Sequence, residues 1–237
     1  MPRVCVPTTR HLPVTRTPRP EAVIFDNDGL LLDTEEAWTR AERTLFARRG
    51  RVFTIEHKRS LIGSARPAAA LKLEAMLELA GQGGELIDEL HELVMEEALA
   101  GVAPRPGALE LIERLAGGGV GLGVASNSRR EFVERTLESA GLLRGPFATI
   151  VSVEDVERPK PAPDIYVEAC RRLGARPDAS VALEDSPTGV AAAAAAGMYV
   201  IGVPYFEDGE LPGSDLTARS LADPAVAQAL GLAGKES

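Results

Sequence analysis

The chain has 237 residues, and at roughly 150 residues per domain that allows one or two domains. Lysine and arginine total 26 against 35 aspartates and glutamates, and this net charge of −9 argues against a duplex nucleic-acid binder with a basic face, though not against small anionic substrates. Only Cys5 and Cys170 are present, so a disulfide framework and a cysteine zinc site are excluded, and the longest apolar run, 190–203, is too short and too rich in alanine to span a membrane.

The first twenty residues hold five prolines, four arginines and no acidic residue. No apolar run of secretory length follows them, so residues 1–20 read as a disordered basic tail rather than a signal peptide. Regular structure is expected from Glu21. The run Ala22-Val23-Ile24-Phe25 is short and continuously apolar, as a buried parallel strand should be. From 34 to 103 no strand is expected. Helices are predicted over 35–49, 67–79 and 85–100, punctuated by Gly50, by Gly81, Gly83 and Gly84, and by Gly101. The remainder alternates. Strands are predicted at 120–125, 148–152, 180–183 and 198–203, with helices at 108–115, 131–140, 163–173 and 187–196 between them. The six alanines from Ala191 suit a helix face packed closely on a sheet. One short helix is predicted near the end, at 224–230. This order implies an α/β fold: a Rossmann-like, doubly wound parallel sheet built from 21–33 and 104–237, with an inserted all-α helical domain at 34–103.

In such a sheet ligands bind beyond the carboxyl ends of the strands. The first strand is followed by Asp26-Asn27-Asp28-Gly29 and the second by Ser126-Asn127-Ser128. Beyond the third comes Arg158-Pro159-Lys160-Pro161, and after the fourth Glu184-Asp185-Ser186-Pro187. One sheet edge therefore collects four carboxylates, a hydroxyl and a lysine. Two carboxylates about 4 Å apart repel by roughly 4 kcal/mol at an effective dielectric near 20. Four of them need a cation or must take up protons. An all-oxygen set with no histidine or cysteine favours a hard ion such as Mg²⁺, which shares its sphere with phosphate oxygens. A carboxylate can attack phosphorus to form an acyl phosphate. A second one, two residues along, can give a proton to the leaving oxygen and later take one from water.

Phe25-Asp26-Asn27-Asp28-Gly29-Leu30-Leu31-Leu32-Asp33-Thr34-Glu35 resembles the first signature of the haloacid dehalogenase superfamily of phosphotransferases. Val124-Ala125-Ser126-Asn127-Ser128 resembles the second, and Arg158-Pro159-Lys160-Pro161-Ala162-Pro163-Asp164 the third. Leu183-Glu184-Asp185-Ser186-Pro187-Thr188-Gly189 resembles the fourth. A lone Asp-x-Asp is common, but four signatures in order, spaced 100, 34 and 25 residues apart, are specific. The most similar branch holds β-phosphoglucomutase and phosphoglycolate-phosphatase-like enzymes, with a helical cap inserted after the first signature.

The resemblance implies that Asp26 is the nucleophile and a metal ligand. It makes Asp28 the general acid and base, lending its backbone carbonyl to the metal. Ser126 and Asn127 would hold the transferring phosphoryl group, Lys160 would neutralise charge, and Glu184 and Asp185 would complete a Mg²⁺ site. Leu61-Ile62-Gly63-Ser64-Ala65-Arg66 resembles the cap loop that reaches the active site, so Gly63 and Arg66 are expected to bind substrate. Three positions depart from the pattern. Pro159 stands where the family usually has glycine, Ile62 where the mutases carry a lysine, and Trp38 where they carry a histidine. The last two favour a Mg²⁺-dependent phosphatase, acting through an aspartyl phosphate on a small sugar phosphate or phosphoglycolate-like ester. The alternatives are a hexose-phosphate mutase and a non-catalytic ligand-binding relative. The expected partner is a small phosphorylated metabolite, with no nucleic acid or membrane, in a cytoplasmic monomer or weak dimer. The cap is expected to hinge near 32–34 and 103–105. Ser128 and Asp33 are expected to act as helix caps, each with a glutamate three residues on. His11, His57 and His91 are assigned no role.

Overall fold

The apolar segments predicted as strands lie side by side in the computed structural model, which describes residues 19–64, 66–206 and 209–232. β1 (Ala22–Phe25), β2 (Gly121–Ala125), β3 (Thr149–Val151), β4 (Val181–Glu184) and β5 (Tyr199–Gly202) are joined at the edge by β6 (Leu216–Thr217). The order is β3-β2-β1-β4-β5-β6 and every pair is parallel. β6 was not foreseen: two residues carry no alternation, and only their pairing with Ile201 and Gly202 makes them a strand.

Four helices separate β1 from β2's leading helix: α1 (Thr34–Ala47), α2 (Ile55–Leu61), α3 (Arg66–Leu77) and α4 (Gly83–Leu99). The chain then alternates through α5 (Ala108–Gly117), α6 (Arg130–Ser139), α7 (Asp164–Leu173), α8 (Pro187–Ala195) and α9 (Pro224–Ala229). α2 escaped prediction because it is only seven residues long. Its signal was Thr54, whose hydroxyl accepts from the His57 N–H while His57 Nδ1 accepts from the Thr54 N–H. The predicted basic tail falls on residues 1–20, of which 1–18 lie outside the described residues.

The two faces of β1 show why the sheet is doubly wound. Strand side chains alternate with period two. Val23 and Phe25 share one core cluster with Leu111 and Leu115 of α5, Phe132 and Leu137 of α6 and Val226 of α9. Ala22 and Ile24 share the other with Ile165 and Ala169 of α7 and Ala192 and Ala193 of α8. All four residues of β1 are buried, so the strand has no polar face to offer, as its unbroken apolar run required.

The segments entering and leaving the four-helix insertion pair with each other. Asp33 N–H donates to Ala103 O and Arg105 N–H to Leu31 O, each at 2.8 Å. The Asp33 expectation needs correction. It holds the N-cap position of α1 but makes no side-chain cap bond, its ψ of 59° differing from the extended backbone usual at a cap. Its carboxylate instead accepts from the Tyr205 hydroxyl at 3.3 Å. Among the described residues no helix is long and apolar enough to cross a membrane.

α5 provides a check on this packing. Leu115 is fully buried and Leu109 is 45 % exposed. Leu115→Ala is expected to cost about 2–5 kcal/mol and Leu109→Ala about 0.5 kcal/mol or less, read from urea denaturation midpoints.

Candidate active site

Parallel register brings three strand ends to one place. Phe25, the last residue of β1, lies beside Val124 of β2 and Leu183 of β4. Asp26, Ser126 and Glu184–Asp185 therefore emerge together, at the point where the strand order reverses around β1. Lys160 arrives from the loop beyond β3. Its N–H donates to Asn127 Oδ1 at 2.9 Å, and its carbonyl accepts from Asn127 Nδ2 at 3.2 Å. One side-chain amide thus holds both backbone groups of the lysine. The following Lys160–Pro161 peptide is cis.

The Lys160 ammonium is 3 % exposed and spends all three protons. It donates to Asp26 Oδ1 and Glu184 Oε1, both at 2.6 Å, and to Ala125 O at 2.9 Å. Burial works against its charge, but Asp26 and Glu184 outweigh that and keep the ammonium protonated. Glu184 is fully occupied. Oε1 also accepts from the Tyr166 hydroxyl at 2.6 Å, and Oε2 from Asp185 N–H, Ser186 N–H and Ser186 Oγ. Ser186 meanwhile caps α8 by accepting from Gly189 N–H, with Pro187 in the first turn, as the sequence implied.

Asp26 Oδ2 is buried and has no hydrogen-bond partner. Asp26, Glu184 and Asp185 each offer an oxygen within 4.8 Å of the others. Burial drives the carboxyl groups of Asp26 and Asp185 well above the usual range, and repulsion among the three carboxylates adds to it. One ammonium cannot balance three buried carboxylates. An orphaned oxygen and an all-oxygen donor set fit a hard divalent cation at this spot. The Asp28 carboxylate is outside this group. Gly29 lets the chain pass over it: φ is +81°, and a Cβ there would lie 2.2 Å from Asp185 Oδ2.

Asp28 Oδ2 accepts from two hydroxyls, Ser126 and Ser128, each at 2.8 Å. Ser128 N–H in turn donates to Ser126 Oγ at 3.0 Å. The expectation that Ser128 caps a helix is therefore corrected. α6 begins at Arg130 with Arg129 at the N-cap, one residue too late for Ser128, whose hydroxyl turns to Asp28 instead. Ser126 is fully buried behind it. Of these two serines, Ser128 lines the cavity above the carboxylates, and Asn127 does so beside it.

That cavity measures about 150 Å³. Its floor is Asp26, Asp28, Lys160 and Asp185, and its roof comes from the helical insertion. Gly63 and Arg66 line the roof, and so do Ile62 and Trp38. Arg66 Nη2 pairs with Asp88 Oδ1 at 2.5 Å, while Nη1 is buried without a partner. Trp38 meets His91 edge-on, with ring centroids 5.5 Å apart. His91 lines the cavity although its isolated position in the sequence drew no attention. Glu35, Glu42 and Lys58 line it too, and they were missed as one cluster. Their only signal was the spacing of seven between the two glutamates, which places both on one helix face. Tyr166 was missed because it sits on the apolar face of α7 and reads as core.

The family model of the haloacid dehalogenase-like hydrolases matches residues 23–203. The chain is 33 % identical to the validoxylamine A 7′-phosphate phosphatase of Streptomyces hygroscopicus subsp. limoneus, over 86 % of this chain and 95 % of that protein. It is 34 % identical to hexitol phosphatase B of Escherichia coli K12, over 77 % and 83 %. Among solved structures, CbbY from Rhodobacter sphaeroides in complex with phosphate superposes with a TM-score of 0.73 at 30 % identity, covering 86 % of this chain and 95 % of that one.

Two outcomes follow from this geometry. Gly29 and Gly50 both have positive φ, but nothing lies within 4 Å of a Cβ at Gly50. Gly50→Ala should therefore cost only the backbone strain of about 1–2 kcal/mol, and Gly29→Ala distinctly more, in parallel thermal melts. Glu42 offers a pH test. Burial raises its carboxyl from 4.5 to about 7, with Lys58 opposing and Glu35 adding. Between those values the folded chain holds a proton that the unfolded chain has released, so the stability from this group falls as pH rises through about 7. Glu42→Gln removes that loss. Its stability relative to wild type should climb by about 1–3 kcal/mol between pH 5 and pH 8, as a rising difference in Tm.

Proposed function

The chain belongs to the haloacid dehalogenase-like hydrolases and is a phosphoric monoester hydrolase, and we propose that it works with Mg²⁺, through an aspartyl phosphate on Asp26, on a small sugar or polyol phosphate. The observation that carries this reading is the state of the Asp26 carboxylate. Lys160 holds one oxygen at 2.6 Å, which fixes the group, while the other is buried and unpaired beneath the cavity. A held carboxylate with one free oxygen is a positioned nucleophile.

In this mechanism one oxygen of the Asp26 carboxylate attacks phosphorus and the other would be the metal ligand. Asp28, two residues along, gives its proton to the departing alcohol oxygen, then takes one from the water that cleaves the aspartyl phosphate. The Ser126 and Ser128 hydroxyls aim its carboxylate. Lys160 offsets the charge of nucleophile and phosphoryl group, and Asn127 keeps the lysine in place. Asp26 and Asp185, with the backbone carbonyl of Asp28 and support from Glu184, would hold the Mg²⁺, which supplies positive charge to the phosphoryl oxygens when bound. Ser126, helped by Asn127, is assigned to the transferring phosphoryl group; without substrate its hydroxyl donates to Asp28. Residues 34–103 act as the cap over a core of 21–33 and 104–237 and hinge near 32–34 and 103–105, where the entering and leaving segments pair.

The choice of a sugar or polyol ester rests on two relatives, whose names give a validoxylamine 7′-phosphate and a hexitol phosphate as their substrates. A mutase is disfavoured because Trp38 and Ile62 wall the cavity where the mutases carry histidine and lysine.

Phosphate release from a panel of monophosphate esters, with and without Mg²⁺, tests the proposal. Wild type should turn over at least one ester only with the metal, and Asp26→Asn should lose at least 10³-fold in kcat. Release undiminished in Asp26→Asn would exclude the aspartyl phosphate.

A further inference from the structure

Three ionisable side chains in the cavity roof have no part in the chemistry above. Glu35 and Glu42 come from α1 and Lys58 from α2. The Lys58 ammonium is 2.5 Å from Glu35 Oε2 and 3.2 Å from Glu42 Oε2, and it also donates to the Glu35 carbonyl. Their side chains are 10 %, 4 % and 5 % exposed for Glu35, Glu42 and Lys58. All three line the same cavity as Asp26 and Asp28.

A tie between α1 and α2 needs one carboxylate. Once the Glu42 carboxyl has released its proton, above about pH 7, the second leaves a surplus negative charge, buried, on a wall of the cavity. Arg66, the other cation of the roof, pairs through Nη2 with Asp88, a residue outside the cavity lining, and keeps its buried Nη1 without a partner. Burying an uncompensated carboxylate is costly, and the site bears that cost within a substrate cavity rather than in a packed core. Carboxylate oxygens accept only, so they are satisfied by hydroxyl or ammonium donors. A carboxylate brought close to them while they are ionised would be repelled. Burial lifts the Glu42 carboxyl to about 7, which marks how poorly the protein alone compensates it.

We propose that the Glu35–Lys58–Glu42 cluster selects the alcohol part of the substrate, taking a polyhydroxylated, uncharged leaving group in preference to one that ends in a carboxylate. This rests on the phosphatase reading and names the residues of this chain that would enforce the sugar or polyol class proposed there. Glu42 is a specificity-determining residue in this view, binding the leaving group and leaving phosphorus to the floor.

The experiment compares sorbitol 6-phosphate with 2-phosphoglycolate at pH 8 with Mg²⁺, in wild type, Glu42→Gln and the charge-keeping Glu42→Asp. Wild type should favour the polyol ester at least tenfold in kcat/KM. Glu42→Gln should shrink that preference about tenfold, by raising KM for the polyol ester and lowering it for the acid, with kcat for each little changed. Glu42→Asp should keep most of the preference. Equal losses on both esters in Glu42→Gln would assign the cluster a purely structural role and overturn the inference, as would a wild type that prefers 2-phosphoglycolate. A wild type that hydrolyses neither these nor any other ester would instead overturn the phosphatase reading, and the inference with it.

Discussion

The site depends on one buried ammonium. Lys160 sits between Asp26 and Glu184, donates a hydrogen bond to each at 2.6 Å, and ties its third N–H to the end of β2 through Ala125 O. Without it, three carboxylates would converge at the strand ends with no cation among the described residues to hold them. Breaking a buried ion pair by removing one partner typically costs about 3–5 kcal/mol. The neighbouring structure is arranged to keep the lysine there. Asn127 clamps its backbone, and Tyr166 and the start of α8 satisfy the Glu184 oxygens that it does not reach.

The price of this arrangement is close packing around the carboxylates. Gly29 crosses above Asp185 where no side chain fits, and Gly189 in the first turn of α8 would drive a Cβ to within 1.8 Å of Glu184 Oε1. These glycines are there for space: the one at 29 also needs a left-handed backbone, while the one at 189 is helical and needs only the missing side chain. Small residues continue along α8, where Ala192 and Ala193 bring the helix down onto the sheet. Helix position then sets carboxylate position, because Ser186 is at once the cap of α8 and a donor to Glu184.

The roof follows a different logic. The floor gathers Asp26, Glu184 and Asp185 around one lysine, whereas the roof sets two carboxyl groups, Glu35 and Glu42, on the one ammonium of Lys58. Trp38, Leu61, Ile62 and Leu90 supply apolar wall between these charges. One cavity is thus lined at its floor by the carboxylates and lysine of the strand ends and at its roof by charged and apolar side chains of the insertion.

Much of this was legible in the chain. Continuous apolar runs marked β1 to β5 because a strand buried on both faces has no polar side to show. Asp26, Asp28, Lys160, Glu184 and Asp185 stood out because they follow those runs, and position along a strand is a local property. What local pattern could not carry was partnership. Ser128 matched a helix cap by spacing, yet its hydroxyl serves Asp28, 100 residues away. Glu35, Glu42 and Lys58 looked like ordinary helix charges until α1 and α2 packed together over the floor. β6 exists only by pairing with β5. Sequence by itself determined β1 to β5, the longer helices, their order and the residues at the strand ends, since those follow from the burial period of single segments. Tertiary structure alone decided which hydroxyl meets which carboxylate and which charges share a cavity, because hydrogen bonds and Coulomb interactions act over a few ångströms in space, whatever their separation along the chain.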